Sequence, residues 1–303
     1  MKNTAQNIVK ISSVTALHRY MGLPSPLNPL ITIVDHSQTQ NHKQAKNETL
    51  LLDFYNISIK RSFKGKLKYG KNSYDFDDGT MSFIAPNQLI SIDESEQRNS
   101  DGWSLLFHSD LIRQYPLGKL IKNYGFFSYT VNEALHLSDE EEKTVELIIQ
   151  NIQKEISSRL DSFSQDVMVS NLELLLSYCN RFYNRQFITR KMATNDLLSA
   201  FEQALDGYFN GANLMLPTVE KLAVDLHVSS AYLSDMLRSL TGQNTQQHIH
   251  HKLIEKAKEI LTTTNLTVSE IAYQLGFEYP QSFSKLFKNK TSVSPLVFRA
   301  SFN

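Results

Sequence analysis

An internal repeat near the C-terminal end limits what this chain can fold into more than any other feature. Val219, Leu222, Ala223 and Leu226 recur as Val268, Ile271, Ala272 and Leu275 at an offset of 49. Leu233, Ser234, Leu237 and Arg238 recur as Phe283, Ser284, Phe287 and Lys288 at an offset of 50. A supersecondary unit present twice, with a basic residue kept at one helical position, signals duplication rather than chance.

The second copy reads as two short helices about a tight turn. Thr267 with Glu270 forms a capping box that starts a helix, and Ile271, Ala272 and Leu275 recur at helical spacing. Gly276 stops that helix, because the reversal needs a residue with positive φ. Phe277 follows as an apolar plug, and Pro280 suits the first turn of the next helix. That helix buries Phe283, Leu286 and Phe287 and leaves Gln281, Ser282, Ser284, Lys285 and Lys288 on its open face. The pattern is that of a helix-turn-helix whose second helix reads DNA. Residues 245–261 supply a helical spacer between the copies.

Over roughly residues 195–303 the sequence resembles the AraC/XylS family of transcription regulators. The residues that carry the resemblance are Leu222-Ala223, Ser229 to Ser234, Thr241-Gly242, Ala257 with Leu261, and Ile271-Ala272 with Leu275-Gly276-Phe277. Ser282-Phe283-Ser284, Leu286-Phe287-Lys288, Ser294-Pro295 and Phe298-Arg299 complete them. The resemblance implies two helix-turn-helix motifs joined by a linker helix, with both recognition helices entering adjacent major grooves. It also implies a bacterial activator that works with RNA polymerase. Two positions depart from the family pattern. Ser292 stands where the family usually has Gly, and His227 occupies the turn position that Gly276 fills in the second copy.

Length and composition are compatible with this organisation. A chain of 303 residues is long enough for two domains. The single cysteine, Cys179, excludes an internal disulfide and fits a reducing cytoplasm. No signal-peptide core and no apolar run near ~18 residues is present, so a cytoplasmic location is expected. Formal net charge is +0. Residues 210–303 hold 9 Lys+Arg against 7 Asp+Glu, an excess of only 2. This weak asymmetry argues against strong non-specific attraction to nucleic acid, and affinity would then come from a few placed contacts plus base readout. His227, His248, His250 and His251 could add positive charge near phosphate.

Upstream, the hydrophobic period changes. Ile8, Val9 and Ile11 suggest a short helix ended by Pro24, Pro26 and Pro29. Ile31 and Ile33, the run from Leu50 to Ile59, Tyr74 with Phe76, Met81 to Ile84, Leu89 to Ile92, and Trp103 to Phe107 read as short strands. Asp78-Gly79 marks a hairpin turn. The expected fold class is α+β: a β-rich, cupin-like barrel over residues 1–136, a sensor by resemblance, ahead of an all-α DNA-binding domain. Over residues 137–187 a helical pair follows. Its first member carries the stripe Val145, Ile148, Ile149, Ile152 and Ile156; its second carries Phe163, Val167, Leu172, Leu175, Leu176, Cys179 and Phe182. The stripes serve either homodimerisation or packing within one chain; periodicity alone does not separate these. Residues 188–195 read as a linker, with Asn195 capping the first helix of a DNA-binding domain over 196–303. Within it, the first motif spans 218–240 and the second 267–288.

The expected DNA-contacting residues are Ser230, Ala231, Ser234, Asp235 and Arg238 in the first motif, and Tyr279, Gln281, Ser282, Lys285 and Lys288 in the second. Arg and Lys suit guanine or phosphate and Gln suits adenine. Asp235 repels phosphate, so it reads a cytosine amino group or points away. Tyr232 and Leu233 are core residues by resemblance, and Arg299 is structural. His248, His250 and His251 lack the i, i+4 pair of a helical metal site, and no cofactor is expected. The alternatives are a metal-dependent cupin enzyme and a non-DNA interaction protein. Residues 69–92 hold no His, which weighs against the first, and the duplicated basic helix faces weigh against the second.

Overall fold

In the computed structural model the described residues are 7–39, 48–61, 66–69, 72–75, 79–91, 101–130, 133–159, 161–189, 191–210 and 216–302. They form two compact units, Met1–Gln186 and Phe187–Asn303.

The N-terminal unit starts with β1 (Asn7–Ile11), α1 (Val14–Met21), β2 (Ile31–Asp35), β3 (Glu48–Leu52) and β4 (Phe54–Arg61). It continues with β5 (Lys66–Tyr69), β6 (Asn72–Asp75), β7 (Thr80–Ile84), β8 (Leu89–Ser91) and β9 (Asp101–His108). The short helices α2 (Ser109–Ile112) and α3 (Leu117–Leu120) and strand β10 (Leu135–His136) precede two long helices, α4 (Asp139–Ser157) and α5 (Ser164–Thr189). The strands form two five-stranded sheets, ordered β1-β3-β8-β5-β6 and β10-β7-β4-β9-β2. Ile11, Leu50, Leu52 and Ile90 of the first sheet share one core with Val34, Phe54, Ile84 and Leu106 of the second, and Leu17 of α1 joins them. The β-rich region is therefore two sheets packed face to face. No strand pairing among the described residues closes them into a barrel, so the expected cupin-like barrel is met only as a β-rich pair of sheets.

Three local expectations are corrected. Residues 7–11 are a strand, not a helix: Ile8, Val9 and Ile11 are β-branched, and the segment pairs in parallel with β3 from Asn7↔Glu48 to Ile11↔Leu52. The helix comes later, where the Ser13 side chain accepts from the Ala16 N–H, and Gly22 ends it at φ 67. The run from Leu50 to Ile59 is two strands in different sheets, divided at Asp53, whose N–H donates to the Ile11 carbonyl. Helix α6 (Lys191–Asn210) begins at Lys191 and not beyond Asn195. Phe76 and Asp78 lie outside the described residues, while Gly79 has φ 71 in the turn before β7.

Ser138 and Glu141 form a capping box at the start of α4, and four acidic residues fill its first turn, where they complement the helix dipole. Val145, Ile148, Ile149, Ile152 and Ile156 are buried, as are Leu172, Leu175, Leu176, Cys179 and Phe182 of α5. Phe163 and Val167 are exposed instead. Burial pushes the Cys179 thiol well above its ordinary range, so it serves as an apolar core group. Polar clamps hold α4 to β4 and β9: Arg61 pairs with Glu142 and Glu146, and the Trp103 indole donates to Glu146 at 3.0 Å. Arg185 joins α5 to Glu141 and donates to the His136 carbonyl at 2.8 Å.

His36 is half-buried beside the central strands. Ser58 Oγ donates to Asn56 Oδ1 at 2.8 Å, so the proton of the Ser104–Ser58 bond must come from Ser104. His36 Nε2 then has to donate to Ser104 Oγ, also 2.8 Å away, which the Nε2-protonated neutral ring does. Burial, reinforced by Lys60, lowers the His36 pKa to about 4. The folded pKa lies below the unfolded value of ~6.5, so this site's stability is complete above that value and is lost as pH falls toward 4. Trp103, the only tryptophan, reports on this unit. Between about pH 7 and about pH 5 its denaturant midpoint should fall more in the wild type than in His36→Gln. Equal falls would contradict the assignment.

Candidate nucleic-acid interface

The C-terminal unit holds α6, α7 (Val219–Asp225), α8 (Ser230–Thr241), α9 (Thr245–Thr263), α10 (Val268–Gln274), α11 (Pro280–Thr291) and α12 (Pro295–Ala300). Helices α7 and α8 form the first motif and α10 and α11 the second. Leu222, Ala223, Leu233 and Leu237 are buried in the first, and their counterparts Ile271, Ala272, Phe283 and Phe287 are buried in the second; Met236 and Leu275 are also buried, although their counterparts Leu286 and Leu226 are half-buried. Tyr208 of α6 donates to Asp225 at 2.7 Å and lies under the Lys221 ammonium, which fixes α6 on the first motif.

The two turns have the same backbone construction. In the first, the His227 N–H donates to Val224 O at 3.1 Å and the Val228 N–H to Ala223 O at 3.0 Å. In the second, the Gly276 N–H donates to Tyr273 O at 3.0 Å and the Phe277 N–H to Ala272 O at 2.9 Å. His227 and Gly276 both adopt positive φ, 57 and 84. The His in the first turn therefore leaves its left-handed geometry intact. Glycine at 276 has a further cause, since a Cβ there would come within 2.9 Å of the Leu216 nitrogen. Helix α8 follows α7 after four residues and α11 follows α10 after five, which accounts for the change of offset from 49 to 50.

Equivalence continues beyond the recognition helices. Gly242 caps α8 at φ 77 and donates to Arg238 O; Ser292 caps α11 at φ 65 and donates to Lys288 O. Asn244 then caps α9 and Ser294 caps α12. Ser292 thus holds the left-handed position that its counterpart fills with glycine. Replacing it with Gly should relieve Cβ strain, offset in part by greater freedom of the unfolded chain, for a net gain of about 0.5–1 kcal/mol. Thermal unfolding of Ser292→Gly measures this; a lower Tm would contradict it.

The expected DNA-contacting residues fall into two groups by exposure. Tyr279, Gln281, Ser282, Lys285 and Lys288 are all exposed, and Gln281, Lys285 and Lys288 lie on one face of α11. No ion pair occupies Lys285 or Lys288 among the described residues. Tyr279 is the N-cap of α11 without a side-chain bond to it. In the first motif Ser230, Ala231, Ser234 and Asp235 are only half exposed. Ser234 Oγ sits 3.0 Å from Thr245 Oγ1 at the buried start of α9. Arg238 is exposed and its guanidinium donates to Asp235 Oδ1 at 2.8 Å. Ser229 caps α8 by accepting from the Tyr232 N–H at 3.1 Å. Leu233 is buried, while Tyr232 is half-buried with its ring edge on Phe187.

Arg299 ties the C-terminal helix to the linker helix: Nε donates to Leu261 O at 3.0 Å and a terminal nitrogen to Leu266 O at 2.6 Å. Among the histidines, His248 bonds Thr241 Oγ1 at 2.8 Å and meets Phe201 edge-on, and His250 bonds Gln246 at 2.9 Å. Burial lowers both pKa values, so His248 and His250 lose charge at neutral pH and add less to the basic surface than expected. Among the described residues no group of three or more His, Cys, Asp and Glu is placed to hold a metal, and no helix is long and apolar enough to cross a membrane.

Two structurally equivalent helix-turn-helix motifs in one unit define a helix-turn-helix domain. Residues 222–301 match the family model described as "Helix-turn-helix domain". The chain is 22% identical over 201 residues to the HTH-type transcriptional regulator YijO of Escherichia coli (strain K12), covering 66% of this chain and 61% of that protein. It is 36% identical over 70 residues to the HTH-type transcriptional activator AarP of Providencia stuartii, covering 23% of this chain and 52% of that one. Among solved structures, the C-terminal domain of the two-component response regulator yesN from Fusobacterium nucleatum is 32% identical. It covers 32% of this chain and 96% of that chain, with a TM-score of 0.30. The C-terminal region of this protein therefore carries a helix-turn-helix domain.

Proposed function

We propose that the protein is an AraC-type transcription regulator that binds duplex promoter DNA through α8 and α11, placed in adjacent major grooves. The carrying observation is the matched pair of turns, with the same hydrogen bonds and left-handed residues at 227 and 276, each followed by a helix with a polar outer face. In this reading Gln281, Ser282, Lys285 and Lys288 make base and phosphate contacts in the second motif, with Tyr279 beside them at the helix start. Ser230, Ala231, Ser234, Asp235 and Arg238 face the groove in the first.

The N-terminal sheets act as the sensor in this proposal, in the place of the cupin-like domain implied by resemblance. The α4–α5 pair forms a homodimer contact, supported by the exposed Val167 and Leu174 on α5 and by Phe163 just before it. Activation, with RNA polymerase as partner in a bacterial cytoplasm, is supported by the family resemblance and by the relative named as an activator. A small molecule bound by the N-terminal unit would act by changing how the DNA-binding unit engages DNA. Selection of random duplex DNA by the full chain at fixed salt tests the reading. Enrichment of two short blocks supports it, and enrichment of none rejects it.

A further inference from the structure

Beyond the choice of face, the repeat inverts a charge at one position of the recognition helix, half-exposed in α8 and exposed in α11. At the offset of 50, Asp235 of α8 corresponds to Lys285 of α11, and Arg238 corresponds to Lys288. Helix α8 therefore carries one acid and one base, whereas α11 carries Lys285, Lys288 and Lys290 and no acid. The acid of α8 is not idle: its Oδ1 receives the Arg238 guanidinium at 2.8 Å across one helical turn.

We infer that Asp235 is a specificity-determining residue of the first motif, restricting Arg238 to a site that offers a guanine acceptor and a cytosine amino donor together. The inference rests on the DNA-binding reading above. A carboxylate gains nothing from phosphate, which repels it, or from purine N7 and O6, which are acceptors like itself. The strongest reward that a duplex offers it is the cytosine N4 amino group. A guanidinium carries five N–H donors in a planar fork, so one edge can stay on Asp235 while another reaches guanine O6 and N7. The pair then presents acceptor and donors side by side, complementary to a G·C pair. An exposed arginine left alone on this helix would instead donate to any nearby phosphate. The division of labour follows: the lysines of α11 supply sequence-independent attraction, and the neutral α8 discriminates.

Random-duplex selection by the full-length protein, its isosteric variant Asp235→Asn and Asp235→Ala tests this. The wild type should require a G·C pair at one position of the first block. Both variants should lose discrimination there by on the order of 5- to 150-fold and keep every preference in the second block. Asp235→Ala should also steepen the plot of log affinity against log salt by about 0.9, one phosphate newly neutralised by Arg238. If both variants keep the wild-type preference at every position, the carboxylate only neutralises Arg238 locally and the inference is overturned. A wild type that enriches no sequence would reject DNA reading itself, and the inference with it.

Discussion

Lys285→Ala combined with Lys288→Ala should weaken binding to a selected duplex by ~10- to 100-fold near 0.1 M salt and flatten the salt dependence by roughly two phosphate contacts. Both ammonium groups are exposed on α11, and no ion pair neutralises them among the described residues. With only a small excess of cations in residues 210–303, two lysines form a large part of the attraction available. Titration of the duplex by anisotropy at several salt concentrations measures both quantities. Unchanged affinity with an unchanged slope would mean that the opposite face of the second motif meets DNA. A fall in affinity with no change of slope would assign the lysines to base edges rather than phosphates.

The second large effect concerns the core beneath that face. Phe283 has 0% exposure and packs against the rings of Phe277 and Phe287. Its position in the repeat is filled by Leu233 in the first motif, so the second motif relies on an aromatic side chain for the same volume. Phe283→Ala should cost about 3–5 kcal/mol through lost burial and an unfilled cavity. That is a large share of the ~5–15 kcal/mol that holds a typical domain folded. The loss should appear as an early transition in helical circular dichroism, while Trp103 fluorescence, which reports on the N-terminal unit, keeps its midpoint. A variant whose helical transition is unmoved would show that Phe283 is not buried in solution.

What could be read from the sequence depended on whether the signal was local. The C-terminal helices announce themselves through caps, turns and spacing within a few residues of one another. Thr267 with Glu270, Gly276 and Pro280 each act on their own segment, and each occupies the expected role. The Arg299 anchor to Leu261 and Leu266 was likewise inferable as structural, although its partners were not. By contrast, the N-terminal sheets depend on distant pairings. Whether residues 7–11 lie in a strand is decided by Glu48–Leu52, and nothing within the segment itself specifies that partner. The break at Asp53 was hidden for the same reason: Leu50 to Leu52 before it and Phe54 and Tyr55 after it are all strand-compatible, and only the assignment of β3 and β4 to different sheets separates them. Alternation along strands shows that one face is buried, but it does not show whether two sheets close on each other or stay open. Asp235 illustrates a third limit. The sequence shows its charge, but its engagement with Arg238 is a matter of rotamer and distance.

In the proposed complex α8 and α11 occupy adjacent major grooves on one face of the duplex. Guanine methylation interference on the selected duplex tests it most directly, because the modified N7 lies in the major groove. Two clusters of interfering guanines separated by ~10 base pairs, one helical turn, are expected. A single cluster, or two clusters on opposite faces of the duplex, would contradict it.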